Sequence, residues 1–285
     1  MISAYREAQA GKVICKELFD QTPMATKDRP TAIGAPRIDE SFMDKVVEAA
    51  KGRRLTEVEA DAQNGRNADY IVKDAIIELK DIQKEGLWVE SRQDRLAQLL
   101  VGVAEGEDYV SLDPEGLSED QWRSYIDVLG RPIQKQVMSA GKQIRASRDH
   151  LGLSRGGVVF LNTGYTSIPH RLFEALVERY CNKDTSQVDF AICISTWVLT
   201  NGFDSEVFFS FDPSEGGCDV VEAIRTAFWE EIDTSMTNWA RGGFCQEENP
   251  LQPVAPIAFS AQGKKFSFNP PHLPSQLDKD WRNES

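Results

Sequence analysis

Histidine is scarce in this chain: three residues among 285, His150, His170 and His272, stand far apart. That spacing excludes HExxH and His-rich metal centres. The five cysteines (15, 181, 193, 218 and 245) form no CxxC pair and are odd in number. They point to reduced, buried thiols rather than a disulfide framework or zinc knuckle. No apolar run approaches the roughly 18 residues of a membrane span, and Arg6, Glu7 and Lys12 stand where a signal peptide needs apolar residues. A cytoplasmic protein without a membrane partner is therefore expected. The absence of a P-loop and of GxGxxG argues against a nucleotide-driven motor, and no GxSxG elbow supports a serine hydrolase.

What is present is an ordinary globular composition, 41% hydrophobic and 27% charged, with enough chain for a large core. The balance of 32 Lys+Arg against 45 Asp+Glu leaves a formal charge of −13. Taken alone, that charge disfavours a nucleic-acid binder. Its distribution softens the point: Glu105, Glu107, Asp108, Asp113, Glu115, Glu119 and Asp120 follow one another without a Lys or Arg between them.

Residues 1–37 read as a short helix (1–19) and an irregular connection carrying Pro23, Pro30, Gly34 and Pro36. A helix over 39–51 follows, with Phe42, Met43, Val46, Val47 and Ala50 at helical spacing. Then come a strand at 55–61, a polar turn at 62–67, a hairpin at 68–80 and an amphipathic helix at 87–103. An acidic insertion at 104–130 surrounds a small helix holding Trp122 and Tyr125. Pro132 opens a helix to Leu151, and the apolar run Val158 to Leu161 marks a buried strand at 157–162. A helix at 169–180, strands at 189–196 and 206–211 and a helix at 219–240 complete a domain over 38–245. The extension 246–285 is proline-rich, with a hairpin at 257–268 turning at Gln262-Gly263. Trp197, Phe208, Phe209, Phe211, Phe228 and Trp229 are assigned to the core. The class is α/β, a mixed central sheet flanked by helices, with peripheral helical and C-terminal additions.

The hairpin carries the chemistry. With its turn on Lys73-Asp74, Val72 faces Ala75, Ile71 faces Ile76, Tyr70 faces Ile77 and Asp69 faces Glu78. Alternation puts Tyr70, Val72, Ala75, Ile77 and Leu79 on one apolar face, and Asp69, Ile71, Ile76, Glu78 and Lys80 on the other. Two carboxylates so placed repel one another unless something compensates them. Mg²⁺ or Mn²⁺, bound by Asp69 and Glu78, is the natural candidate, because hard divalent cations prefer carboxylate oxygens and can supply a water nucleophile. Lys80, on the same face, is suited to position or deprotonate that water, or to stabilise charge on a phosphate. On the helix at 132–151, Arg131, Lys135, Lys142 and Arg145 share one face opposite Ile133, Val137, Ala140, Ile144 and Leu151, as phosphate-backbone contact needs.

Asp69 with Glu78-Leu79-Lys80 resembles the PD-(D/E)xK nuclease superfamily, the restriction-endonuclease-like fold, and the order of elements over about 38–165 is similar. Two departures stand out: Ala68 occupies the position of the motif's proline, and about fifty residues separate Lys80 from the helix at 132. The resemblance implies metal-dependent hydrolysis of phosphodiesters, with DNA the expected substrate. It also implies a Gln or Lys from the helix at 132–151, Gln143 before Lys142, and a third acidic ligand from the first helix, Glu40 at its start. A homodimer or an accessory protein partner, and a restriction or phage-defence setting, are further implications at the level of fold. Two readings compete with it: a non-catalytic nuclease-like scaffold or acidic interaction protein, and an RNA-directed nuclease.

Overall fold

The computed structural model describes residues 37–56, 59, 67–100, 109–112, 117–200, 205–214, 216–242 and 254–268. The expected helix at 1–19, nearly all of the 20–37 connection and most of the 62–67 turn lie outside these residues. The first described element is α1 (Glu40–Ala49), capped by the Asp39 carboxylate, which accepts from the Phe42 amide at 3.0 Å. Its buried Phe42, Met43, Val46 and Val47 follow the spacing expected of one helical face.

The strands that follow are β1 (Arg53–Arg54), β2 (Tyr70–Val72) and β3 (Ala75–Ile82). Of the expected strand at 55–61 only Leu55, Thr56 and Glu59 are described: among the described residues strand pairing is at Arg53 and Arg54, Leu55 and Thr56 are not in a strand, and Glu59 stands in a turn. Local polar bonding competes with extension at these positions. The Glu59 carboxylate takes the Arg53 guanidinium at 2.5 and 2.6 Å and the Thr56 amide and hydroxyl at 3.1 and 2.7 Å.

Between β3 and the next major helix lie a 3₁₀ turn (Gly86–Trp88), α2 (Glu90–Leu100) and the short strand β4 (Tyr109–Ser111). The expected helix at 87–103 thus starts later, after the turn. A second correction concerns the helix assigned to begin at Pro132. A single helix, α3 (Glu119–Leu151), runs through Pro132, and its start is a capping box in which Ser118 and Gln121 exchange side-chain and backbone bonds. The small helix with Trp122 and Tyr125 is its first third.

The remaining elements are β5 (Arg155–Asn162), α4 (His170–Asp184), β6 (Phe190–Thr200), β7 (Ser205–Pro213), α5 (Cys218–Gly242), β8 (Ile257–Ala261) and β9 (Lys264–Phe268). The main sheet is mixed, in the order β1-β2-β3-β5-β6-β7, with β3, β5 and β6 parallel and the other neighbours antiparallel. One face packs against α2, α3 and α4 through Ile76, Val158, Phe160, Leu129, Ile133 and Phe173. The other packs against α1 and α5 through Tyr70, Ile77, Val159, Val46, Ile224 and Phe228. Parallel strands covered on both sides need apolar residues at every position, which is why Val158 to Leu161 shows no alternation.

A second sheet, β4-β9-β8, joins the insertion to the C-terminal hairpin, and Val110, Ile257 and Phe266 enter the same core as α3. Its turn lies at Gln262-Gly263, both with positive φ, as the sequence predicts. No helix among the described residues is long and apolar enough to cross a membrane.

Candidate active site

The β2–β3 hairpin has the register the sequence predicts, Tyr70 opposite Ile77, Ile71 opposite Ile76 and Val72 opposite Ala75, with Lys73 in the left-handed region at the turn. The ladder ends at Asp69. Its backbone still bridges both neighbours, accepting from Leu55 at 2.8 Å and donating to Ile77 at 3.1 Å. Its carboxylate takes the place of the next carbonyl and accepts from the Leu79 amide at 2.7 Å. A side chain that replaces a ladder bond is fixed at the sheet's fork, next to Glu78.

Glu78 points to the α3 face and is 1% exposed. One carboxylate oxygen pairs with Lys80 Nζ; the other, Oε2, is buried with no hydrogen-bond partner among the described residues. Burial and then the neighbouring Asp69 charge push the Glu78 carboxyl up to about 8. Asp69 is raised as well, chiefly by burial, against the opposing pull of the Leu79 amide and Lys80. Lys80 Nζ also donates to Gln143 Oε1 at 2.7 Å, and Gln143 is oriented by Ser139 Oγ at 3.1 Å and by its own Nε2 on the Asn67 carbonyl at 3.0 Å. Four of the sequence-predicted residues, Asp69, Glu78, Lys80 and Gln143, are thus brought together.

Glu40 is not. Its carboxylate pairs with Arg54 at 2.6 Å, and Arg54 also holds Asp44 at 2.7 Å and lies over the Tyr70 ring. Tyr70 completes this group by donating to Asp44 at 2.8 Å. Beside it lies a cavity of about 700 Å³, lined by Asp39, Glu40, Asp44, Arg54, Asp69 and Asp81 among others. Asp69 therefore borders open space on the α1 side, with Leu79 and Asp81, whereas Glu78 is buried toward α3. Among the described residues, no group of three or more His, Cys, Asp or Glu side chains is gathered as a metal cage. Asp69 and Glu78 nevertheless suit a hard cation, since Mg²⁺ is commonly held by one or two carboxylates with waters and phosphate oxygens completing the shell. The unpartnered Glu78 Oε2 is an acceptor of the right chemistry.

Asp81 and Arg54 are site-bordering residues that the sequence reading passed over. Asp81 is held by Gln83 Nε2 at 2.7 Å and by Thr163 Oγ1 at 2.8 Å, with burial raising its carboxyl. The signal for it was strand alternation, which puts Asp81 on the face of Leu79. Lys135 and Lys142 are exposed on α3, and Arg145 approaches Asp149 at 3.7 Å.

A second constellation lies farther along the sheet, where α4 meets β6 and β7. His170 Nδ1 is 2.7 Å from Ser195 Oγ and its Nε2 is 2.8 Å from Asp212 Oδ2. The trio has hydrolase residues, but Ser195 is completely buried, so its hydroxyl meets no substrate and the chain of bonds ties α4 to β6 and β7. Comparison with protein-family models, curated proteins and solved structures finds no match to this chain.

Proposed function

We propose that the protein is a divalent-metal-dependent nuclease of the restriction-endonuclease-like type, acting on DNA. The observation that carries the reading is the cluster at the hairpin fork: two adjoining carboxylates, one with a buried unpartnered oxygen, and a lysine held by a glutamine from α3. Asp69 and Glu78 would hold the cation. When bound, it would offset their mutual repulsion, polarise a phosphate and favour ionisation of water. Lys80 brings a positive charge and donor hydrogens to a poorly hydrated place, where they act strongly on charge developing at phosphorus. Gln143 positions Lys80 and limits its rotation. Supercoiled and linear DNA incubated with Mg²⁺ should be cut by the wild type and left intact by Asp69→Ala and Lys80→Ala. Full activity in both variants would refute the assignment.

One observation favours the scaffold reading instead: Glu40 is engaged by Arg54, and the cluster contains two carboxylates. Calorimetric titration with Mg²⁺ or Mn²⁺ separates the two, because a scaffold shows no binding that depends on Glu78.

A further inference from the structure

The α2–α3 junction forms a compact basic pocket of about 300 Å³, lined by Val89, Ser91, Arg92, Arg95, Arg131 and Lys135 among others, with no carboxylate among the described lining residues. Arg92 is committed to the fold: its guanidinium donates to the Gly86 carbonyl and lies 5.9 Å from the Tyr165 ring centre. Arg95, Arg131 and Lys135 are exposed, and none forms an ion pair with a described residue. Three cations with no ion-pair partner among the described residues, lining one pocket, repel one another unless an anion joins them.

The apolar surface around them is equally unusual. Of the four large hydrophobic side chains exposed among the described residues, Val89 (45%) lines the pocket and Trp88 (62%) directly precedes Val89 in the chain. Met138 (45%) lies one turn beyond Lys135 on α3. An exposed aromatic residue one position from a lining that carries cations without an ion-pair partner among the described residues suits a ligand with a π-face and phosphates. Along α3 the pocket lies about 12 to 18 Å from Gln143, at 1.5 Å per residue between Arg131 or Lys135 and that glutamine. That is a few nucleotides of extended strand.

We propose that this pocket holds single-stranded polynucleotide, with phosphates on Arg95, Arg131 and Lys135 and a base stacked on Trp88, and delivers the strand to the Asp69/Glu78 cluster. Its role in delivery rests on the nuclease reading; its binding chemistry does not. The test uses the full chain with EDTA, so that no cleavage occurs, and fluorescein-labelled single-stranded oligonucleotides read by anisotropy.

Arg95→Ala with Arg131→Ala should weaken binding about tenfold or more and lower the slope of log Kd against log salt by about 0.7 per lost phosphate contact. Trp88→Ala should weaken it about fivefold or more with the salt slope unchanged, and Trp88→Phe should restore part of the loss. Arg179→Ala, on the exposed side of α4, should bind as wild type. Wild-type affinity and slope in the pocket variants would overturn the proposal. So would competition by polyglutamate as effective as by unlabelled oligonucleotide, or absence of binding by the wild type. Cleavage assays keep the two readings separate. Pocket-dependent binding without Asp69-dependent cleavage leaves the pocket and removes the nuclease; Asp69-dependent cleavage with wild-type binding by the pocket variants does the reverse.

Discussion

Glu78 makes the stability of the metal-free protein depend on pH in a direction opposite to that of most carboxylates. In the unfolded chain its carboxyl titrates near 4.5; in the fold, burial and the Asp69 charge push it up to about 8. Between those values the folded protein binds about one more proton than the unfolded one. The Glu78 contribution is therefore fully present below 4.5 and is lost as pH rises through about 8, at about 1.4 kcal/mol per pH unit. From pH 6 to pH 8 the loss is about 2–3 kcal/mol, which is about 5–10 °C in thermal midpoint for a chain of this size.

Glu78→Gln keeps the shape and the oxygen that accepts from Lys80 but cannot ionise. In EDTA, its thermal midpoint should fall less between pH 6 and pH 8 than that of the wild type, by that amount. Asp69→Asn should remove a smaller part of the slope, because burial is the larger cause and the Asp69 charge the second. Millimolar Mg²⁺ should restore the wild type at pH 8 and leave Glu78→Gln nearly unchanged; occupancy at about a hundred times Kd offsets about 2.7 kcal/mol. Parallel wild-type and Glu78→Gln profiles in EDTA would show that Glu78 is ionised at neutral pH and would refute the reasoning.

Two further substitutions test the supports of the site. Glu85 is a buried acceptor for the Leu87 amide at 2.8 Å, Thr166 Oγ1 at 2.8 Å, the Ser167 amide at 3.0 Å and Ser167 Oγ at 2.6 Å, binding the segment after β3 to the loop after β5. Glu85→Ala strands these donors and should cost about 3 kcal/mol in urea denaturation; a loss under about 1 kcal/mol would contradict the bonding described. Pro132 interrupts the hydrogen bonding of α3, so Pro132→Ala, which restores a donor to the Val128 carbonyl, should raise stability by about 2 kcal/mol. A lower thermal midpoint would mean that the helix is shaped around its proline.

The parts of the fold that follow from side-chain periodicity were legible in the sequence. The Lys73-Asp74 turn fixes the pairing of Tyr70 with Ile77, and Ile133, Val137, Ala140 and Ile144 form the inner face of α3. Alternation grouped Glu78 with Lys80 on one hairpin face, and the structure brings Gln143 of α3 to that face. Elements set by local competition were not legible. Pro132 reads as a helix start because proline favours the first turn, whereas the Ser118 capping box, itself visible as Ser-x-x-Gln, begins the helix thirteen residues earlier. The two-residue strand β1 has no apolar pattern to announce it, since both its arginines are exposed. The Arg54 group around Glu40 depends on α1 crossing β1, a tertiary contact that no spacing within either element encodes.

The net charge of −13 therefore says less about ligands than its placement does. On the α1 side, Asp39, Glu40, Asp44, Asp69 and Asp81 share a cavity with Arg54 as the cation among the lining residues, so a phosphate entering there alone meets repulsion. On the α3 side, Arg131, Lys135, Lys142 and Arg145 share one exposed stripe that leads past Met138 toward Gln143. Under the proposed function these surfaces have different tasks: the acidic cavity concentrates divalent cations beside Asp69, and the basic stripe aligns the polyanion. Neither surface substitutes for the other, because a cation at the fork cannot hold the strand at a distance of several nucleotides, and lysines on α3 cannot relieve the Asp69/Glu78 repulsion. Added salt weakens the stripe more than the buried cluster, since exposed charges are screened over about 10 Å at 0.1 M while buried pairs are largely shielded from ions. KM for cleavage should accordingly rise steeply with salt while kcat changes little.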